Sequence, residues 1–238
     1  MTSFDATGFP LRGLAPDAAA ARLAEWVRWP IDRGTATDVK TAGRTLRIHV
    51  LDAGEGIQLR TVVEMRKRVF LPAEEIVCFF PAFTATAERS LDLLAVESTE
   101  CPLEPFGVTA WPERLRFRIA NPFDFALAAG VRIRVALALL ASRVEGAPEG
   151  TRFLILPTSI ASQDPEVPPG IHTATGRVEE ILTFRNAATC EDVRRLRLST
   201  PSGPLDIVAS ARDAVSSLAA GSIAVAEGEL VATVRAVE

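Results

Sequence analysis

Cysteine and histidine are scarce in this chain, with three Cys and two His among 238 residues. A zinc site needs several Cys, His or carboxylate ligands brought together, usually with two at short spacing. Cys78, Cys101 and Cys190 are widely separated and have no neighbouring Cys or His, and His49 lies more than a hundred residues from His172. No metal cofactor is expected. Thiols that are odd in number and far apart, in a chain too large to need staples, point to a reducing compartment. Cys78, inside Ile76-Val77-Cys78-Phe79-Phe80, reads as a small buried hydrophobe. The histidines read as surface or hydrogen-bonded side chains.

Long apolar runs are missing too. The longest, Val135 to Ala141, is bracketed by Arg132, Arg134 and Arg143 and falls well short of the ~18 residues of a membrane span. The opening residues MTSFDATGFPLRG lack a basic segment followed by an apolar run, so no secretory signal is expected and the cytoplasm is the expected compartment. Neither a Walker loop, G-x-G-x-x-G, G-x-S-x-G nor S-x-x-K occurs, and the only lysines are Lys40 and Lys67. The net charge of −4 gives no long-range attraction to nucleic acid or to anionic membrane. A Cys101–His172 or Cys190–His172 pair has no local signature behind it.

What is present is alternation. Pro16 to Arg28 is alanine-rich, with Leu23, Trp26 and Val27 on one face, and predicts a helix that Pro30 ends. From Arg44 the period becomes two. Strands are predicted at Arg44 to Val50, Ile57 to Val63, Ile76 to Phe80, Leu91 to Val96, Leu115 to Ile119 and Val131 to Leu140, with Asp52 to Gly56 as a turn. The stretch PTSIASQDPEVPPG, four of whose residues are proline, cannot donate into a ladder and reads as a connector. The expected organisation is therefore a helix-led β module over 1–156, a connector over 157–170 and a second module over 171–238. The fold class is mainly β, as two antiparallel barrels or sandwiches.

The second module predicts strands at Thr175 to Phe184, Val193 to Thr200 and Pro204 to Ala209, a short helix at Asp213 to Leu218, and a last strand at Ser222 to Val234. This order, with a helix between the third and fourth strands, resembles the OB-fold. The resemblance covers the last third of the chain and rests on element order alone. One internal echo accompanies it: Ile133, Val135, Ala136, Leu140 and Val144 recur as Ile223, Val225, Ala226, Leu230 and Val234, ninety residues later.

Two basic clusters are the candidate sites. Arg47, Arg60, Arg116, Arg118, Arg132 and Arg134 fall on the expected outward faces of strands. They predict an arginine-lined sheet surface, or a wet face with charges paired to residues such as Glu64 and Asp92. Arg185, Asn186, Arg194, Arg195 and Arg197 occupy the region where an OB barrel binds its ligand. Against nucleic acid there, residues 151–238 hold two aromatics, Phe153 and Phe184, and eight basic against eleven acidic residues. Asp206, between Leu205 and Ile207, is expected to face solvent. Trp26 and Trp29 on the helix could anchor a partner or simply cover a barrel end. The favoured reading is a non-catalytic binding or scaffold protein acting through protein–protein contacts or self-association, with no cofactor and no membrane. Single-stranded nucleic-acid binding is the alternative, and an enzyme of scattered carboxylates a third.

Overall fold

The computed structural model describes residues 3–41, 44–67, 72–97, 106–109, 115–122, 124–158, 170–212 and 217–238. The protein is mainly β, with two sheets and few helices, as the alternating patterns predict. Helices α1 (Ser3–Ala6), α2 (Pro16–Trp26) and α3 (Trp29–Arg33) open the chain. Pro30 does not stop helicity as expected. It lies in the first turn of α3, where its missing N–H would have been unsatisfied anyway, and the break falls at Val27 and Arg28. No helix among the described residues is long and apolar enough to cross a membrane.

The first sheet is an antiparallel meander of β1 (Thr35–Thr41), β2 (Arg44–Asp52), β3 (Ile57–Lys67) and β4 (Pro72–Phe83). Its β2–β3 turn forms where expected. Asp52 Oδ1 accepts the Gly54 N–H at 2.8 Å, and Gly54 and Gly56 take positive φ. Strand β1, TATDVKT, carries little hydrophobicity, and no strand was expected there.

The second sheet contains β5 (Glu88–Glu97), β6 (Phe106–Thr109), β7 (Arg116–Ile119), β8 (Arg132–Ala147), β9 (Leu154–Pro157), β10 (Ile171–Arg185), β11 (Asp192–Thr200), β12 (Gly203–Ser210) and β13 (Ile223–Val237). It is mixed rather than antiparallel, because β12 runs parallel to β8 and β7 parallel to β13. Strands β8 and β13 pair antiparallel along nearly their whole length and form its spine. Two closed circuits share that spine. One runs β10–β11–β12–β8–β13 and back to β10, the other β5–β6–β7–β13–β8 and back to β5. Each is a five-stranded barrel made of a three-stranded meander, its own long fourth strand, and a fifth strand lent by the other half. The expected boundary at 157–170 therefore falls inside one sheet. Residues 159–169 lie outside the described residues, as do Asp213 to Ser216 of the expected short helix and Cys101.

The two halves are related by a pseudo-two-fold axis through the spine. Bulges fall at Ser142 in β8 and at Arg235 in β13, and the parallel partners begin beside Ala138 and Val231. Both correspondences are 93 residues apart. The echo at ninety residues is thus coincidental. It matches Ala136, which packs outward against the first sheet, with Ala226, which packs inside the barrels. An odd step is required, because on a strand an even shift keeps parity and here parity must reverse between β8 and β13.

Two cores result. Ile133, Val135, Leu137, Leu139 and Ala141 of β8 meet Leu230, Ala232 and Val234 of β13 and the inward aliphatics of both meanders. The other faces of the spine, Ala136, Ala138, Leu140 and Val231, meet Leu59, Val62, Phe80 and Phe83 of the first sheet and Phe9 and Trp26 of the N-terminal segment. Small residues on the outer face of β8 let the two layers approach closely.

Buried charges tie the segment between β4 and β5 onto this spine. Asp206 is fully buried, not solvent-facing: all of Leu205 to Ala209 is covered on both sides. Its carboxylate accepts the Thr86 N–H at 2.8 Å, the Thr86 hydroxyl at 3.1 Å, the Ala87 N–H at 3.3 Å and the Arg197 Nε at 3.2 Å. Arg118 holds the equivalent place in the other barrel. It donates to the Pro81 carbonyl at 3.2 Å and to Glu229 at 2.8 Å, with its guanidinium 5.1 Å from the Phe80 ring centroid.

His172 stitches the halves together where β7 and β13 pair over two residues only. Its Nε2 accepts the Arg116 N–H at 3.3 Å, so Nδ1 carries the proton and donates to the Gly170 carbonyl at 3.0 Å. Burial pushes its pKa down to about 4, against the Gly170 hydrogen bond, which raises it. The folded value is depressed, so the unfolded chain binds the proton first as pH falls. Stability is full above about 6.5 and is lost progressively down to about 4, by roughly 3 kcal/mol. Burial lowers the His49 pKa as well and adds in the same direction. Urea denaturation across this range should show the slope, with His172→Gln flattening most of it. An unchanged slope in that variant would remove the assignment.

Candidate ligand-binding cleft

The N-terminal segment is held against the turn between β10 and β11 by specific polar contacts. Asp5 accepts the backbone N–H groups of Leu11 and Arg12 at 2.7 and 2.8 Å, which closes the loop before α2. Asn186 Nδ2 donates to the Thr7 carbonyl at 2.9 Å, while its Oδ1 accepts the Ala188 and Thr189 N–H groups at 2.8 and 3.2 Å. The Thr189 hydroxyl donates to the Gly8 carbonyl at 2.6 Å. An aromatic cluster anchors the same segment, with ring centroids 5.5 Å apart for Phe9–Trp26 and 5.3 Å for Phe4–Phe79.

Between this segment and the barrel lies a cleft of three adjoining cavities, all lined by Glu191 and Arg212. The largest, about 420 Å³, is lined by Arg12, Arg22 and Arg212 together with Trp26, Trp29, Glu191 and the turn residues Ala188 and Thr189. Asp5 and Ser210 extend it on one side, and Arg185, Cys190 and Asp192 on the other. The guanidinium of Arg212 is clamped on Glu191 at 3.0 and 3.1 Å. Trp29 is half-buried, with Arg33 5.3 Å from its ring centroid. Four arginines and two tryptophans thus reach one cleft from the first loop, α2, α3, the end of β10 and the second residue after β12.

Of the expected OB-region cluster, Arg185 lines the cleft, 3.4 Å from Asp192. Asn186 does not face a ligand. It is fully buried and caps its own turn. Arg195 is ion-paired to Glu180 at 3.4 Å and Arg197 to Asp206 at 3.2 Å, while Arg194, half-buried, projects from the opposite side of β11.

The expected arginine sheet face is divided between two sheets, Arg47 and Arg60 on the first and the rest on the second. Arg118 is buried and Arg60 half-buried, contrary to their expected outward orientation. Arg60 donates to the Ala120 carbonyl and, at 2.7 Å, to Gln58, and burial pushes its pKa down. The remainder are paired with acids: Arg47 with Asp38 at 2.7 Å, Arg116 with Glu97 at 2.9 Å, Arg132 with Asp92 at 3.8 Å and Arg134 with Glu88 at 3.9 Å.

Among the described residues, no group of three or more His, Cys, Asp or Glu is placed to hold a metal ion. Cys190, exposed at the β10–β11 turn, sits beyond one end of β10 and His172 near the other, roughly 40 Å apart at the rise of an extended strand. They form no catalytic pair. Arg12, Arg22 and Arg212 escaped the sequence reading because they stand singly in a loop, a helix and a strand end, and tertiary structure alone unites them. Trp26 and Trp29 did carry a legible signal, two large aromatics at the end of the alanine-rich α2 and the start of α3. No protein-family model, curated protein or solved structure matches this chain.

Proposed function

We propose that the protein is a non-catalytic binding or scaffold protein of the cytoplasm, with an OB-like C-terminal barrel, that contacts an acidic segment of a protein partner at the arginine–tryptophan cleft. The observation that carries this reading is the convergence of Arg12, Arg22 and Arg212 on one cavity beside Trp26 and Trp29, where Arg22 and Arg212 form solvent-exposed ion pairs with Glu25 and Glu191 that a partner can reach. Arginine and tryptophan are the residues most enriched where binding energy concentrates. A long polyanion such as single-stranded nucleic acid is the weaker ligand. It would need an open basic track with stacking aromatics along it, and Arg195 and Arg197 are engaged internally.

The test is affinity capture from the native host with the wild-type chain and an Arg12→Glu/Arg212→Glu variant. A partner retained by the first and lost by the second is expected. Equal capture by both, or loss on Arg132→Glu instead, would refute the reading.

A further inference from the structure

We infer that two copies of this chain associate by pairing the outer edge of β10 antiparallel about Leu182. Strand β10 is flanked on one side by β9 and β11 and on the other by β13. The β13 ladder ends at Arg177, and Val178 then exchanges backbone hydrogen bonds with Gly221 and Ser222. From Glu179 to Arg185 no described residue pairs with that second edge, and the β2–β3 turn closes it at Ala187, whose N–H donates to Ala53. Seven residues thus leave backbone N–H and C=O groups open to a further strand. The other sheet edges are protected. Strand β1 bears Asp38 and Lys40, β4 contains Pro81, and β9 is four residues long and ends at Pro157. Ile181-Leu182-Thr183-Phe184 has neither lysine nor proline, and Leu182 is 40% exposed.

The residues of this edge select a second copy as its occupant and fix the register. In an antiparallel pair generated by a two-fold axis, opposed residues share a face, so the axis passes beside a residue and not between two. An axis at Leu182 opposes Leu182 to itself, Ile181 to Thr183, Glu180 to Phe184 and Glu179 to Arg185 of the other copy. Two opposite-charge pairs then flank an apolar centre. Glu179 is exposed and has no ion-pair partner among the described residues. The Arg185 side chain is 67% exposed and gives one hydrogen bond, from Nε to Asp192 at 3.4 Å, so its terminal nitrogens can take a second carboxylate. Moving the axis to Ile181 sets Arg185 against Arg177, a like-charge pair inside the β13 ladder. Moving it to Thr183 sets Glu180 against Asn186, which is buried in its own turn. Leu182 lies outside the arginine–tryptophan cleft, so the pairing is tested apart from the cleft reading.

Sedimentation equilibrium of the intact chain is the first test, and a dimer whose share rises with concentration is expected. Leu182→Asp opposes two carboxylates at the axis and should weaken the dimer at least about tenfold. Its unfolding midpoint should match that of the wild type at dilutions where both are monomers, since Leu182 is exposed. Arg185→Glu should weaken the dimer about tenfold, and Glu179→Arg/Arg185→Glu should restore it by reversing the pair. Copper-phenanthroline oxidation in a Cys190→Ser background reads the register. Leu182→Cys should form an intermolecular disulfide, because opposed Cα atoms lie about 4.5–5.5 Å apart. Glu180→Cys, roughly 14 Å from its counterpart in the other copy, should not. The inference is overturned if the chain stays monomeric at all concentrations, if Leu182→Asp leaves the dimer intact, if the reversed pair fails to restore it, or if Glu180→Cys cross-links as readily. A monomer that captures a host protein through Leu182 also overturns it, by giving the edge to a partner's strand.

Discussion

Replacing Asp206 with Ala is expected to lower the unfolding free energy by about 3 kcal/mol, with a drop in Tm of about 6–12 °C. The carboxylate has no solvent exposure and accepts from two backbone N–H groups, one hydroxyl and one guanidinium. Alanine leaves the Thr86 and Ala87 amides facing an apolar side chain, and each unsatisfied buried donor costs about 1–3 kcal/mol. The loss is kept from growing larger because the Arg197 side chain is 27% exposed and can recover water. Asp206→Asn keeps one acceptor oxygen and the shape, and should lose about 1–2 kcal/mol. Urea denaturation, with the midpoint moving at constant slope, is the measurement. A change under about 0.5 kcal/mol is what a solvent-facing aspartate would give, and it would sink the buried-anchor assignment.

The same contacts explain why the anchor matters to the fold as a whole. Residues 84–87 carry the chain from β4 of the first sheet into β5 of the second, and Asp206 from one half and Arg118 from the other hold opposite ends of that crossing. An anion takes amide hydrogens at Thr86 and Ala87, and a cation takes the carbonyl at Pro81. Arg235, at the β13 bulge, takes the carbonyl of Ala85 at 3.1 Å between them. Losing one anchor should loosen the packing of the first sheet against the second.

Much of this architecture was legible in the residues. The clean alternations Leu115 to Ile119 and Val131 to Leu140 became β7 and β8, and the C-terminal order of strands appeared as β10 to β13. Period-two patterning reports which face of a strand is wet, and it failed where both faces are covered. Asp206 sits on a strand sandwiched between the barrel interior and the segment from the first sheet, so its neighbours Leu205 and Ile207 gave no hint that its own side was closed as well. Arg118 was misplaced for the same reason. The exchange of fifth strands was invisible because pairing partners are set by tertiary closure, and the paired residues of β8 and β12, such as Ala138 and Asp206, are 68 residues apart. The cleft was legible only through Trp26, Trp29 and Arg185. The other three arginines, Arg12, Arg22 and Arg212, occupy unrelated local contexts, and no spacing rule connects a loop, a helix and the segment after a strand.

Gly228→Ala should be the most damaging single-methyl change in the molecule, costing about 3 kcal/mol or more, and Gly228→Val should prevent folding. Gly228 lies in β13 between β10 and β8, opposite His172 on one side and Ala141 on the other, next to the Ser142 bulge. A Cβ there would overlap the Leu140 carbonyl oxygen and stand 2.6 Å from the Ala141 Cα. Both obstacles are backbone in the spine shared by the two barrels, so neither can swing aside. The bulge itself is not the cause. Val135, at the equivalent place opposite the other bulge, carries a full side chain into the core. The requirement is specific to this crossing, where β8 leans onto β13 as it leaves one barrel for the other. Gly146→Ala is the control: its added methyl would meet Leu218 at 3.7 Å, an ordinary contact, and should be neutral or stabilising by about 0.4–1 kcal/mol. Thermal and urea unfolding of the two variants side by side decide the matter, because equal effects at Gly228 and Gly146 would mean that glycine is merely tolerated in the spine and that the close approach of β8 to β13 is not what joins the halves.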